Sequence, residues 1–109
     1  MLQDVGRRMT EKEFQSEVIR IGKMYGWLIS HPYDSRRSEA GLPDLFMVRE
    51  DGRAICAELK TETGRMTEAQ KKWRSIIEKT AIEYYLWRPR HLQRIATILS
   101  RIYRPETHE

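Results

Sequence analysis

The sequence predicts a mixed α/β domain in which a sheet of about four strands is flanked by helices, in the order α-β-β-β-α-β-α. Two observations lead to this fold class. Three short apolar runs with strand composition precede a helical pattern, and a fourth such run follows it. The pair Asp51-Gly52 between the second and third runs is a strong hairpin signal. Because a hairpin joins antiparallel strands and a helical crossover joins parallel ones, the sheet should be mixed.

Length and composition favour one globular domain. The chain has 109 residues, of which 39% are hydrophobic, so it is long enough for one core and too short for two. We expect a single domain over residues 10–104, with residues 1–9 and 105–109 as flexible tails. The net charge of +4 is compatible with a polyanionic partner.

The cysteine count and the hydropathy of the chain limit the cellular compartments in which we expect this protein. The single cysteine, Cys56, excludes an internal disulfide and any site that needs several cysteines. No apolar run approaches the roughly 20 residues that span a bilayer, and the first residues lack the apolar core of a signal peptide. We therefore expect a cytoplasmic protein that has no membrane partner.

The first half of the chain predicts a helix and three strands. Thr10 and Glu13 form a capping-box pattern that opens the first helix, and Gly26 suits its C-terminal end. Its apolar face consists of Phe14, Val18, Ile21 and Tyr25. The strands are expected at residues 27–31, 44–48 and 54–60, with a loop at 32–43.

The second half predicts a helix, a strand and a final helix. After a loop at 61–65, helical spacing runs from about Thr67 to Lys79, with an apolar face made of Met66, Ala69, Trp73, Ile76 and Ile77. Residues 83–87 are rich in strand formers, and Pro89 suits the first turn of the last helix. The apolar face of that helix is Leu92, Ile95, Ala96, Leu99 and Ile102. Trp27, Trp73 and Trp87 are interpreted as core residues.

Polar residues on the hairpin strands point to a site. Side chains alternate along a strand, so Glu58 and Lys60 share one face. A two-residue turn at Asp51-Gly52 would pair Asp44 with Leu59 and place Asp44 on the other face. A three-residue loop or a bulge would instead bring Asp44 beside Glu58 or Lys60. We therefore predict such an irregularity in the hairpin.

Two converging carboxylates would form a hard oxygen site suited to Mg²⁺ or Mn²⁺. Lys60 alongside could stabilise developing negative charge or orient a water. From spacing alone, the alternative is an edge strand with a Glu-x-Lys pair on its solvent-exposed face.

Two further polar residues lie on faces that should be buried. Gln70 is on the apolar side of the second helix, and Glu11 is in line with Phe14 and Val18 on the first. The alternatives are a glutamine at the edge of the core and an acid that complements the helix dipole in a first turn.

Taken in order, "GLPD", "ELK" and "GRMTEAQ" resemble the VRR-NUC (virus-type replication-repair nuclease) family, which belongs to the PD-(D/E)XK restriction-endonuclease-like superfamily. The similarity covers roughly residues 10–88. The chain looks like the small stand-alone members found in phages and bacteria.

The resemblance implies metal-dependent hydrolysis of DNA. It implies that Asp44, Glu58 and the Leu59 carbonyl ligate Mg²⁺ or Mn²⁺ and that Lys60 assists the attacking water. Gln70 matches the helix glutamine of the family, and Glu11 best matches its first-helix acid, with Glu17 as an alternative. Some stand-alone members resemble Holliday-junction resolvases, which implies a homodimer that acts on branched DNA in repair. No small-molecule cofactor is expected.

Basic residues near the site are candidates for phosphate contacts. Arg36 and Arg37 stand in the loop that leads to Asp44, and the second helix carries Lys71, Lys72 and Arg74. No motif for reading bases is present in the sequence, which fits recognition of DNA structure.

The hypothesis is a metal-dependent DNA endonuclease. Two alternatives remain open: a nuclease-like module that binds DNA without cutting it, and an adaptor whose charged residues only solubilise it.

Overall fold

A computed structural model describes residues 9–32 and 39–102. The elements, in chain order, are α1 (Glu11–Met24), β1 (Leu28–Ser30), β2 (Leu45–Val48), β3 (Ala54–Leu59), α2 (Glu68–Ile77), β4 (Glu83–Trp87) and α3 (Leu92–Ser100). A 3₁₀ turn, Pro89–His91, leads into α3. This order confirms the predicted fold class. The bounds of β4 are those predicted, and the other elements differ from their predicted bounds by up to about three residues.

The four strands form one sheet in the order β1-β2-β3-β4. β1 and β2 pair antiparallel, as do β2 and β3, whereas β3 and β4 pair parallel. α2 is the connection that carries the chain from β3 to β4. The sheet is therefore mixed, as the hairpin and the crossover together predicted.

The loop between β2 and β3 has three residues. Val48 pairs with Ala54, and the Arg49 N–H donates to the Arg53 carbonyl at 3.1 Å, so the ladder continues one step beyond the strands. Gly52 adopts a φ of +97°, the left-handed conformation that commonly closes a three-residue hairpin loop. The irregularity predicted from the alternation of side chains is confirmed.

The core lies between the sheet and the pair α1 and α3. Odd-numbered residues of β2 and β3 face these helices, and Gly22 lets α1 approach closely, since a Cβ there would lie 2.6 Å from Ile29 Cδ1. The buried cluster comprises Phe14, Val18, Ile21, Trp27, Leu45, Met47, Ile55, Ala57, Leu59, Trp87, Ile95, Ile98 and Leu99. Burying such apolar surface supplies most of the driving force for folding.

The other face of the sheet is covered only in part, by α2. Ile77 is buried there, but Ile76 is 55% exposed, so its predicted place on the apolar face is wrong. Tyr25 and Ile102, also expected to be apolar contacts, are 39% and 66% exposed. Trp73 is half-buried rather than in the core. One short helix is too narrow to cover four strands, so no element among residues 9–32 and 39–102 covers the β1–β2 half of this face.

Two arginines of the hairpin hold the C-terminal end of α3. Arg49 donates to the carbonyls of Leu99 and Arg101, and Arg53 donates to those of Ile98 and Arg101, where the last carbonyls of a helix run out of i+4 partners. Both guanidinium groups lie over the Trp27 ring, at 4.6 and 5.1 Å from its centroid.

Each arginine is also paired with a carboxylate. Arg49 contacts Asp51 at 2.8 Å and Arg53 contacts Glu83 at 2.7 Å. The hairpin, β4 and α3 are thereby linked at the end of the sheet opposite Asp44. In the part of the chain described, no helix is both long and apolar enough to span a membrane.

Candidate metal and catalytic centre

Asp44 lies just before β2, at the end of the hairpin away from the loop. Continued by one step, the β2–β3 register places it opposite Glu58, on the same face of the sheet. Its Oδ2 accepts a hydrogen bond of 2.7 Å from the Leu59 N–H. The backbone of β3 therefore fixes the Asp44 carboxylate beside the Glu58 side chain.

Glu58 is the one charged side chain that is buried among residues 9–32 and 39–102, with 2% of its surface exposed. Its Oε2 accepts from Gln70 Nε2 at 2.7 Å. Its Oε1 has no hydrogen-bond partner. Because an unpaired buried oxygen costs free energy, this atom marks a position where a cation or a proton belongs.

The environment of Glu58 favours its neutral form. Burial, and after it the negative charge of Asp44, raises the pKa of Glu58 to about 8, because in its neutral form the Glu58 carboxyl can also donate a hydrogen bond to the Asp44 side chain. The positive charge of Lys60 opposes this shift. Two carboxylates held this close cannot both ionise readily without a positive charge between them.

Gln70 is oriented by the start of α2. Its Oε1 accepts from the Thr67 N–H at 2.8 Å, while the Thr67 hydroxyl accepts from the Gln70 N–H at 3.1 Å. This reciprocal pair is a capping box. Since the amide oxygen is engaged with Thr67, the amide nitrogen is the end that faces Glu58. Gln70 was predicted from its helical spacing, whereas the capping pattern of Thr67 and Gln70, which orients its side chain, was not.

Lys60 follows β3 and is half-buried. Its N–H donates to the Trp87 carbonyl at 3.0 Å, and its aliphatic stem lies against Gly64, where a Cβ would come within 3.5 Å of Lys60 Cδ. Arg88 holds the turn that Gly64 closes, by donating to the carbonyls of Thr61 and Gly64. Lys60 is thus carried beside Glu58 on a braced turn.

The first-helix acids lie apart from this cluster. Glu11 is exposed at the start of α1, which contradicts the expectation that it points to the core. Glu17 forms an ion pair with Arg20. No contact joins either of them to Asp44 or Glu58 within the described residues, so their roles stay predictions, as does that of the Leu59 carbonyl.

The expected DNA-binding residues fall into two groups. Arg36 and Arg37 lie outside the described residues. On α2, Lys71 pairs with Glu68 at 3.0 Å and Arg74 with Glu78 at 3.3 Å, and Lys72 is exposed. Arg74 also lies over the Tyr84 ring, 5.3 Å from its centroid. Exposed pairs of this kind are weak enough for a phosphate to replace the acid.

The residues at the site fit a hard divalent cation. Asp44 and Glu58 supply carboxylate oxygens, and the unpaired Oε1 supplies a buried position for the ion. No set of three or more His, Cys, Asp or Glu side chains suited to a metal occurs in the part of the chain that the structure describes. A metal here would accordingly depend on two carboxylates, together with backbone oxygens, water or substrate.

Comparisons with known proteins agree on one family. A family model described as "VRR-NUC domain" matches residues 7–90. A solved structure described as "VRR_NUC domain" is similar to this chain with a TM-score of 0.67 and 18% identity, covering 85% of this chain and 97% of its own. A second, a "VRR_NUC domain protein", has a TM-score of 0.61 and 22% identity, with 83% and 85% covered. No curated protein matches the sequence.

Proposed function

This chain belongs to the VRR-NUC domain family, and on that basis we propose that it is a Mg²⁺- or Mn²⁺-dependent deoxyribonuclease that cuts branched DNA as a homodimer. The observation that carries the proposal is the pairing of Asp44 with Glu58, whose buried Oε1 has no partner. Two carboxylates in this setting favour a shared cation, and a bound divalent cation can promote phosphodiester hydrolysis.

In the proposed reaction, Asp44 and Glu58 hold the ion. A bound divalent ion would polarise a phosphoryl oxygen and lower the pKa of a water. The Leu59 N–H keeps the Asp44 carboxylate in place, and Gln70 keeps that of Glu58 in place. Both carboxylates are thus pre-oriented before the ion arrives, which lowers the cost of assembling the site.

Lys60 would act on the substrate side of the site. Its ammonium group carries a fixed positive charge next to the carboxylates, close enough to affect the pKa of Glu58. A charge in that position stabilises the negative charge that develops on the phosphate in the transition state. It can also orient the attacking water towards the phosphorus.

Branched DNA and a homodimer complete the proposal. Paired cuts in a four-way junction require two copies of the site. On the β1–β2 half of the sheet, Leu28 and Phe46 share the face that also carries Glu58, and they are 73% and 44% exposed. Phe46 lies two residues from Asp44, and exposed apolar side chains on this face support contact with a second protein surface.

The test is cleavage of a labelled four-way junction beside a linear duplex of the same sequence, in Mg²⁺, Mn²⁺ or EDTA. We expect cutting that needs a metal and that falls about 10²-fold or more in Glu58→Gln, as is typical when one strong transition-state contact is lost. Glu50→Gln is the matched control, because Glu50 is an exposed carboxylate of the hairpin loop. It should cut like the wild type.

The pattern of products refines the result. Symmetric paired nicks confined to the junction would support a dimeric, structure-selective enzyme. Equal cutting of both substrates would indicate a general nuclease. Junction binding without cleavage in any metal would overturn the proposal and leave a DNA-binding module with a nuclease-like fold.

A further inference from the structure

The segment that precedes Asp44 is attached to α2 by two contacts. Gly41 adopts a φ of +84°, and a Cβ on it would lie 2.4 Å from the carbonyl carbon of Ala69 and 2.5 Å from its oxygen. The backbone of Gly41 therefore packs directly on the first turn of α2. One turn further along the helix, Trp73 Nε1 donates to the Ala40 carbonyl at 3.0 Å.

The same turns of α2 also contact the other carboxylate. Gln70 follows Ala69 in the chain and donates to Glu58 at 2.7 Å. α2 thus reaches Glu58 through one side chain and the Asp44 segment through its neighbours. Between Gly41 and Asp44 the chain is short and includes the buried Pro43. A displacement of Ala40 or Gly41 relative to α2 would consequently be passed on to Asp44.

We propose that Trp73 is a positioning residue of the metal site. Its indole N–H holds the Ala40–Asp44 segment against α2, so that the Asp44 carboxylate lies opposite Glu58. The choice of side chain supports this role, because only tryptophan offers a large ring with an N–H at its edge that can reach a carbonyl. The inference rests on the proposed function in one respect, since the metal is what the positioned carboxylates would bind.

Trp73→Phe tests this role with a matched control in the same chain. Phenylalanine keeps an aromatic ring and removes the N–H. Trp27→Phe removes an equivalent bond, from Trp27 Nε1 to the Leu99 carbonyl at 2.9 Å, at the opposite end of the sheet. Trp27 is 2% exposed, so its substitution should cost at least as much stability as that of Trp73.

The first readout needs no metal. The Leu59 amide donates to Asp44, so its NMR shift and hydrogen-exchange rate in EDTA report directly on where that carboxylate lies. We expect Trp73→Phe to shift this resonance and to accelerate its exchange, while Trp27→Phe leaves both unchanged. A purely structural role for Trp73 would lower the melting temperature without this selective effect.

The second readout is Mn²⁺ affinity by calorimetry. Loss of an outer-shell partner typically weakens metal binding by about 10–100-fold, so we expect at least a tenfold loss in Trp73→Phe and none in Trp27→Phe. An unchanged Leu59 amide together with unchanged Mn²⁺ affinity would overturn the inference. Failure of the wild type to bind Mn²⁺ would sink the proposed function instead, and the Leu59 amide would still decide the role of Trp73.

A measurement on the wild type covers the case in which Trp73→Phe does not fold. Adding Mg²⁺ should shift the indole N–H resonance of Trp73. The ion would bind the Asp44 carboxylate, and the segment that carries Asp44 is the one to which the indole N–H donates. The Trp27 indole should not respond. A wild type that binds Mg²⁺ without any response at Trp73 would contradict the proposed role.

Discussion

At the scale of single residues, Glu58 carries the sharpest conflict between a side chain and its surroundings. It is buried beside another carboxylate, and one of its oxygens has no partner. If this position served stability alone, we would expect an apolar side chain or a fully hydrogen-bonded polar one there. A glutamate at this position is explained if a cation binds beside its unpaired oxygen in the functional state of the protein.

The raised pKa of Glu58 makes the stability of the metal-free protein depend on pH. The folded state holds a proton up to a pH of about 8, whereas the unfolded chain releases it near its ordinary value of 4.5. Folding is therefore linked to proton uptake between these values, and the free energy of unfolding should fall as the pH rises through this window. At about 1.4 kcal/mol per pH unit, the loss over this window is on the order of 5 kcal/mol.

Urea unfolding in EDTA at a series of pH values measures this slope. Glu58→Gln is the control, because glutamine has nearly the same shape and does not titrate. It should remove most of the slope and be more stable than the wild type at pH 8. Equal slopes in the two proteins would show that Glu58 is ionised throughout the window.

At the scale of secondary-structure elements, two glycines with positive φ allow the cost of backbone strain to be distinguished from the cost of a steric clash. Gly41 has φ +84° and lies against the Ala69 backbone, whereas Gly52 has φ +97° and nothing within 4 Å of a Cβ. Gly52→Ala should cost only the conformational strain, about 1–2 kcal/mol. Gly41→Ala adds a clash with backbone atoms and should cost about 3 kcal/mol or more.

Chemical denaturation measures the free energy of unfolding of Gly41→Ala and Gly52→Ala. The difference between them isolates the contact between Gly41 and α2. Similar losses of stability in both would mean that the Ala40–Gly41 segment moves away from the helix at little cost.

Much of the element structure could be predicted because its causes are local. The capping box at Thr10, the left-handed residue at Gly26 and the strand at residues 83–87 all depend on neighbours in sequence. The hairpin loop was predicted from a less direct argument, the requirement that Asp44 and Glu58 share a face. The structure places Asp44 and Glu58 together, and Gln70, which was predicted from its place on the apolar side of its helix, contacts Glu58.

The features that were missed depend on which surfaces meet. Helical periodicity gives the apolar side of α2 but not how much sheet lies beneath it, so Ile76 was wrongly placed in the interior. Trp73 was interpreted as core because it lies in the periodic apolar pattern of its helix. Its bond to Ala40 spans 33 residues and leaves no signal in that pattern. The clamp of Arg49 and Arg53 on α3 is invisible in sequence for the same reason.

At the scale of the whole molecule, Arg53 links three elements at the end of the sheet away from the site. Its side chain is 9% exposed and pairs with Glu83 on β4 while donating to two carbonyls at the end of α3. Arg53→Lys should destabilise the protein by about 2–4 kcal/mol, because an ammonium group cannot reproduce the forked contacts and leaves Glu83 poorly paired.

Thermal and urea unfolding measure this loss. Arg20→Lys is the control, since Arg20 pairs with Glu17 on the surface and is 58% exposed. It should change stability by less than about 0.5 kcal/mol. An equally small effect at Arg53 would show that the clamp is dispensable.

The net charge of +4 bears on the proposed interaction with DNA. If Arg36 and Arg37 each neutralise one phosphate of a junction arm, changing both to alanine should reduce the slope of log K against log salt concentration by roughly 2. Titrations of a labelled junction between low and moderate salt, in Ca²⁺ or EDTA to prevent cutting, give this slope. Lys23→Ala, on the exposed end of α1, should leave it unchanged.

Gln70 lies in the first turn of α2, and the ends of a helix fray more readily than its middle. Helix ends open and close on a sub-microsecond to microsecond timescale, far faster than whole domains unfold. Each opening of that turn breaks the bond from Gln70 to Glu58 and frees the carboxylate to reorient. We therefore expect the centre to loosen on warming before the fold melts. If the protein is the nuclease proposed above, cleavage should be lost at a temperature below that at which the protein unfolds.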